Sequence, residues 1–194
     1  MNTKTFLTSI NQHIELTSNE HKILIENLTS RNYLKGQFVL QQGDICKNET
    51  FVVKGCLKTF HVDEEGQEHI IRFSLENWWA SDIGSFITKT PANSNIQCLE
   101  NTKVIQISFE NIQKLYTLIP KLERFFRIRI EKGFAASEGR IIRNLSLTAT
   151  EKYLGFRKRY PQIEQRIPQY MIASYLGITK EFLSKLRSQL ISNQ

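Results

Sequence analysis

Lys180, Glu181, Ser184, Lys185, Arg187 and Ser188 share one side of a short amphipathic segment near the C-terminus. Their chemistry suits a nucleic-acid duplex. Lysine can donate to the O6 and N7 acceptors of guanine, and glutamate can accept from the N4 amino group of cytosine. Lysine, serine and threonine also reach phosphate oxygens. Leu183, Leu186 and Leu190 recur on the opposite side at helical spacing, so the polar residues need a helix packed from behind.

The preceding residues supply that support. Met171, Ile172 and Leu176 form the inner face of a first short helix, and Ala173 is small where two helices must cross closely. Gly177 can take the left-handed conformation that ends a helix. Ile178 offers an apolar plug in the turn. Thr179 can cap the second helix, with Phe182 three residues on. Together these features predict a helix-turn-helix with its second helix placed for a major groove. An ordinary helical hairpin with a solvated face explains the periodicity, but not the coincidence of small residue, glycine turn, cap and basic face.

Charge supports the same end of the chain. Residues 1–120 carry 11 Lys/Arg and 13 Asp/Glu, whereas residues 121–194 carry 15 Lys/Arg and 6 Asp/Glu. The C-terminal part alone is strongly cationic, which favours a polyanionic partner.

Other chemistry is poorly provided for. Cys46, Cys56 and Cys98 are odd in number and far apart, so neither a disulfide framework nor a four-cysteine zinc site is expected. They read as free thiols. None of the four histidines stands in a recognised ligand spacing, although His61 and His69 can meet across a hairpin. A phosphate-binding loop, a nucleophile elbow and a dinucleotide fingerprint are all missing. No enzymatic activity and no cofactor are expected. At 40% apolar and 23% charged residues the chain is an ordinary soluble one. It has no apolar run near 18 residues and no apolar leader, so no membrane association is expected, and the cytoplasm is the default location.

Three parts must position the C-terminal helices. Residues 1–35 read as helical, with Thr17 and Glu20 spaced as a capping box before Ile23, Leu24 and Leu28. Residues 36–107 change period. Short β-rich runs at 37–42, 50–54, 57–62, 69–75, 96–99 and 103–107 are separated by turns at Gly43-Asp44, Gly55 and Asp63–Gly66. Leu57–Val62 alternates cleanly. This pattern predicts an antiparallel roll of jelly-roll type within an α+β fold, wide enough for a small ligand unless side chains fill it. Ser108 can cap a short helix, and Pro120 suits the first turn of a long one. Residues 120–145 span roughly 39 Å as a helix. Their apolar residues surround so much of it that a second copy is the economical partner. Leu122, Phe126, Ile130 and Phe134 are expected among the homodimer contacts. The expected domains are 1–119, 120–145 and 146–194.

With these elements in place, the sequence resembles the Crp/Fnr superfamily over nearly its whole length, most specifically at Ala173–Arg187. Thr179-Lys180-Glu181 matches the start of the family's recognition-helix pattern with lysine for arginine, and Lys185 stands at the later arginine. Arg166–Gly177 is similar to a compact bacterial subgroup. The resemblance implies a cyclic-nucleotide-binding-like roll, a dimer helix and a helix-turn-helix. It implies binding to double-stranded promoter DNA as a dimer, with RNA polymerase as a further partner and a small-molecule effector as the input. The winged form of the family has a β-hairpin after the recognition helix. Here Gln194 follows that helix closely, which implies a wingless form with fewer phosphate contacts.

Departures from the family pattern bear on the effector. The resemblance places the pocket at residues 79–96, where the family has Gly-Glu and a later Arg-Ser. This chain has Asp82 and Gly84 near the first position and Ser94-Asn95 at the second. Trp79, Ser85 and Lys89 complete the candidate set. Lys89 is the only basic residue of the stretch, and a buried phosphate normally demands an arginine fork or several donors. Cyclic AMP is therefore disfavoured. Either another effector binds, or Trp78, Trp79 and Phe86 fill the space. The family's iron–sulfur sensors use four cysteines, mostly N-terminal, and this chain has three, none before Cys46. No axial haem ligands are identifiable.

Overall fold

The computed structural model describes residues 3–192, with side chains described to Leu190. Two helices lead in, α1 (Lys4–Asn11) and α2 (Ser18–Glu26). α1 buries Phe6 and Ile10, and the Phe6 ring meets Phe51 edge-on at 5.3 Å. α2 starts at the expected capping box. Thr17 Oγ1 accepts from the Glu20 amide at 3.3 Å, and the Glu20 carboxylate accepts from the Thr17 amide at 2.7 Å.

Eight strands follow: β1 (Thr29–Tyr33), β2 (Phe38–Leu40), β3 (Asn48–Lys54), β4 (Leu57–Val62), β5 (Glu68–Ser74), β6 (Trp79–Ala80), β7 (Asn95–Cys98) and β8 (Thr102–Ser108). They form two four-stranded antiparallel sheets, ordered β1-β8-β3-β6 and β2-β7-β4-β5. The expected roll is therefore present.

β1 corrects the helical reading of residues 1–35. Thr29, Ser30, Arg31 and Asn32 are exposed and offer no apolar face. What makes them a strand is the ladder to β8, from Thr29↔Gln106 to Tyr33↔Thr102. Their backbone groups find partners there that the local sequence does not advertise. In β4 the expected alternation also fails, because Leu57, Lys58, Thr59 and Phe60 are buried in succession. A register shift against β5 falls between Thr59 and Phe60, and the sheet is covered on both faces. Gly55, between β3 and β4, has φ +114°, and a Cβ there would lie 2.4 Å from Thr102 Oγ1. No other residue fits that approach without movement.

Helix α3 (Ile83–Thr88) interrupts the roll. After β8 come α4 (Phe109–Leu118), capped by Ser108 accepting from the Asn111 amide at 3.1 Å, and α5 (Lys121–Ser146), entered from Pro120. The chain closes with α6 (Ala149–Arg159), a 3₁₀ turn (Ile163–Gln165), α7 (Gln169–Leu176) and α8 (Lys180–Ser192).

Two hydrophobic cores result. The first fills the roll and takes in α1, α2, α4 and the start of α5. Leu122 and Phe126 belong to it, at 0% and 5% exposure. This corrects their expected place in a dimer seam. The first turns of α5 lie against the roll, and Phe126 packs within 5.8 Å of the Trp79 and Tyr116 rings. Ile130 and Phe134, beyond the roll, are 41% and 65% exposed. The second core joins Phe60, Ile70 and Phe73 of the roll to Tyr153, Phe156 and Tyr160 of α6 and its C-terminal boundary, and to the inner faces of α7 and α8. Among the described residues, no helix is long and apolar enough to cross a membrane.

Candidate nucleic-acid interface

Residues 148–190 build the interface on a capped framework. Thr148 and Glu151 form a second capping box that opens α6. The Thr148 backbone and hydroxyl hydrogen bonds hold the Glu151 carboxyl below its ordinary value. Met171, Ile172, Ala173 and Leu176 bury the inner face of α7. Gly177 ends the helix at φ +68°, and the Ile178 amide donates to the Ala173 carbonyl at 3.1 Å. This left-handed closure is the one a glycine supplies without steric cost. Thr179 Oγ1 then accepts from the Phe182 amide at 3.1 Å and caps α8. Leu183 and Leu186 are fully buried behind α8, and Leu190 is partly buried.

The outward face of α8 is therefore set by its buried face. Thr179, Lys180, Glu181, Ser184, Lys185 and Ser188 are all exposed. Ser188 Oγ donates back to the Ser184 carbonyl at 3.2 Å. Arg187 differs: it is half-buried, and its charge acts on the Tyr153 phenol of α6. The Tyr153 pKa is nonetheless pushed up to about 12, first by burial and then by the Glu164 carboxylate that accepts its hydrogen bond. Two cations and one anion thus stand on the solvent side of a rigidly capped helix, an arrangement able to address base edges while serines and backbone meet phosphate.

Side chains also tie α7 to the roll. The Ser174 hydroxyl donates to the Glu68 carbonyl at 2.9 Å and accepts from the Ile70 amide at 3.2 Å. Arg166, just before α7, forks onto Glu76 at 3.0 and 3.1 Å and also pairs with Glu100. Hydrogen bonds from those carboxylates hold its guanidinium above the ordinary arginine value.

The candidate effector residues divide. Asp82 caps α3, its carboxylate accepting from the Ser85 amide at 3.1 Å, the Asn93 amide at 3.1 Å and the Ser94 hydroxyl at 2.9 Å. The Ser85 hydroxyl accepts from the Cys46 amide and donates to the Thr90 carbonyl. Asp82, Ser85 and Ser94 thus form one hydrogen-bonded cluster, while the Gly84 carbonyl accepts from the Thr88 hydroxyl at 2.8 Å within α3. Asn95 turns to β2's end, accepting from the Gln42 amide at 2.9 Å. Lys89, in left-handed backbone at φ +61°, lies over the Phe109 ring at 3.5 Å. Trp79 is drawn away into the first core, against Phe6, Phe51 and Phe126. Trp78 packs on Tyr160 in the second core, and Phe86 packs on Phe109. The three aromatic residues do not fill one common space.

Sequence reasoning missed a charged cluster inside the roll. Glu49 of β3, 1% exposed, receives a two-pronged bond from Arg129 of α5 and a bond from the Ser81 hydroxyl at 3.1 Å. Arg72 of β5 donates to the Ser81 carbonyl at 2.6 Å, and burial lowers its pKa. The available signal was an acid inside the β-rich run 48–54 and an arginine inside an otherwise apolar helix face. The three cysteines are buried free thiols, as expected. Burial pushes Cys56 to about 12 and Cys98 to about 11, which keeps them protonated. His61 and His69 do pair across the β4–β5 hairpin, but His69 bonds Asp63 and His61 the Asn93 carbonyl. Among the described residues no cluster of three or more His, Cys, Asp or Glu side chains could hold a metal.

Residues 30–117 match the family of the cyclic nucleotide-binding domain. Over 192 aligned positions the chain is 28% identical to the fumarate and nitrate reduction regulatory protein of Yersinia pestis, covering 89% of this chain and 74% of that one. Its fold is similar to FixK2 from Bradyrhizobium japonicum, with a TM-score of 0.76 at 17% identity over 86% of this chain and 85% of that one. A Crp/Fnr-family regulator structure from Eubacterium rectale gives a TM-score of 0.70 at 16% identity, over 91% of this chain and 85% of that one. Sequence, roll, long helix and C-terminal helices agree in one likeness: residues 30–117 match the cyclic nucleotide-binding domain, and the whole chain resembles transcriptional regulators of the Crp/Fnr superfamily.

Proposed function

We propose that this regulator binds an inverted-repeat DNA site as a homodimer and reads it with α8. The observation that carries the reading is the exposed Lys180, Glu181 and Lys185 face on a helix fixed by Gly177, Thr179 and buried Leu183. Lys180, Glu181 and Lys185 address base edges. Thr179, Ser184, Arg187 and Ser188 serve the backbone or position the helix. The dimer is supported by the unpartnered apolar stripe of α5, where Phe134, Ile141 and Leu145 are 65%, 59% and 84% exposed. Two copies related by a two-fold axis present their recognition helices to half-sites about 34 Å apart.

Cyclic AMP is not the input in this reading. The Asp82 cluster satisfies itself, and the guanidinium groups inside the roll already serve Glu49 and Ser81. RNA polymerase is the natural downstream partner of such a regulator. Selection of bound duplexes from a random pool tests the proposal directly. A palindromic winner that binds far more tightly than a scrambled control supports it. Equal binding of the two, or no palindrome, replaces it with a dimeric interaction protein whose helix-turn-helix has lost its specificity. Calorimetry with cyclic AMP tests the second part, and a submicromolar site would refute it.

A further inference from the structure

A cleft of about 580 Å³ lies where β5, α5 and the α6 end of the DNA-binding part converge. This size falls within the range typical of small-ligand sites. It shares only Trp79 with the candidate effector residues and none with the Asp82 cluster, so it is a different place from the pocket that the family resemblance indicates. Its charged lining is Arg72, Arg129, Lys132, Arg140, Arg143 and Arg159, and no carboxylate lines it among the described residues. Glu49 offsets Arg129, and Arg140 is spent on the Ile70 and Tyr175 carbonyls. That still leaves Lys132, Arg143 and Arg159 in one cleft without a carboxylate of their own. Arg129 Nε is shut off from solvent and has no hydrogen-bond partner. Lys132, Arg143 and Arg159 are exposed, so the cleft presents their charge to the solvent side, where it attracts an anion.

The aromatic lining narrows the anion. Trp78 and Tyr160 meet at 5.6 Å with their rings tilted by 36°, and the Arg159 guanidinium lies 5.2 Å from the Trp78 ring. Arg140 lies 4.4 Å from the Tyr175 ring. Guanidinium forks match phosphate oxygens in pairs, and aromatic faces accept a planar base. Several cations for one ligand call for more than one phosphate.

We infer that the cleft binds a nucleoside polyphosphate, with its phosphates among Lys132, Arg143 and Arg159 and its base against the partly exposed Trp78 and Tyr175, which the buried Tyr160 supports from behind. The α5 geometry leaves the cleft free in a dimer. At about 100° per residue, Ile130, Phe134, Ile141 and Leu145 occupy an arc of about 60°, and the arc of Arg129, Lys132, Arg140 and Arg143 is centred about 150° away from its centre. A ligand there touches the roll, the long helix and the DNA-binding part at once, so its binding sets how α7 and α8 sit. This rests on the regulator reading only for its consequence, since the binding itself is measured without DNA.

The test is calorimetry and tryptophan fluorescence on the full chain with ATP, GTP, inorganic tripolyphosphate and cyclic AMP. Micromolar binding of ATP or GTP is expected, about tenfold or more tighter than tripolyphosphate, with quenching of Trp78 and no comparable binding of cyclic AMP. The Arg143→Gln/Arg159→Gln variant, altered at two exposed side chains, should keep the wild-type circular dichroism and lose at least tenfold in nucleotide affinity. Absence of nucleotide binding, equal binding of tripolyphosphate, or a variant with unchanged affinity overturns the inference. If that variant instead weakens all DNA sequences while nucleotides do not bind, the cleft is part of the DNA-phosphate track and the inference fails. Failure of site selection with nucleotide binding intact would count against the regulator reading alone.

Discussion

Arg129 grips Glu49 with both terminal guanidinium nitrogens, at 2.6 and 3.1 Å, and so pins the long helix α5 to strand β3 inside the roll. The carboxylate is 1% exposed, the guanidinium 18%. Breaking one half of such a pair strands a buried charge and costs about 3–5 kcal/mol, whereas replacing both halves by apolar groups of similar volume is often neutral. Arg129→Met should therefore destabilise the fold by that order, and Glu49→Leu/Arg129→Met should recover most of the loss. Urea unfolding curves measure both. A single variant that costs under about 1 kcal/mol would show that the pair carries little.

Dimerisation should separate the two halves of α5. Ile130→Glu and Phe134→Glu place charge on an exposed apolar stripe, so they should leave the fold intact and shift the mass in light scattering from about twice 22.7 kDa toward 22.7 kDa. Leu122→Glu places charge in the roll's core and should unfold the chain instead. A wild-type chain that stays monomeric at micromolar concentration rules out the seam.

On DNA, Glu181→Ala should relax preference at one base pair per half-site by about 1–3 kcal/mol. Arg187→Ala should weaken every sequence alike and reduce the salt slope by about 1. Because Arg187 is half-buried, thermal melting of this variant must accompany the titration. Base-specific losses from Arg187→Ala would exchange the two roles.

Acid should loosen the N-terminal helices late. The Thr17 amide, followed by the Lys121 ammonium, holds the partly covered Glu20 carboxyl at about 2, below its ordinary 4.5. A depressed carboxyl contributes stability that is present above the unfolded value and is lost as pH falls through the folded one. The loss thus runs from about pH 4.5 down to about pH 2. Glu20→Gln should flatten that part of the pH–stability curve. A wild-type curve that is already flat between these values contradicts the assignment.

The sequence revealed features whose causes are local. Thr17 with Glu20, Ser108, Gly177 and Thr179 act on their own neighbours within a few residues, and each is found capping or ending the expected helix. β1 and β6 were invisible because their pairing partners lie far along the chain, in β8 and β3. Leu122 and Phe126 were misplaced for a related reason: helical periodicity shows that a face is apolar, not which surface covers it. In the candidate interface, the polar face of α8 could be read from spacing, but the turn of Arg187 toward Tyr153 depends on α6. The Glu49–Arg129 pair joins residues 80 positions apart and has no local signature.

Strands β4 and β5 carry side chains into both cores: Leu57 faces the roll, while Phe60, Ile70 and Phe73 pack under α6 and α7. The Ser174 hydroxyl, bonded to the backbone of β5, extends this union to main-chain groups that shortening a β5 side chain leaves in place. The helix-turn-helix is therefore not a portable cassette. A chimaera that moves α6–α8 onto a foreign sensor must bring the β4–β5 hairpin with it, or leave Phe73 and its neighbours facing water and α7 without its mount.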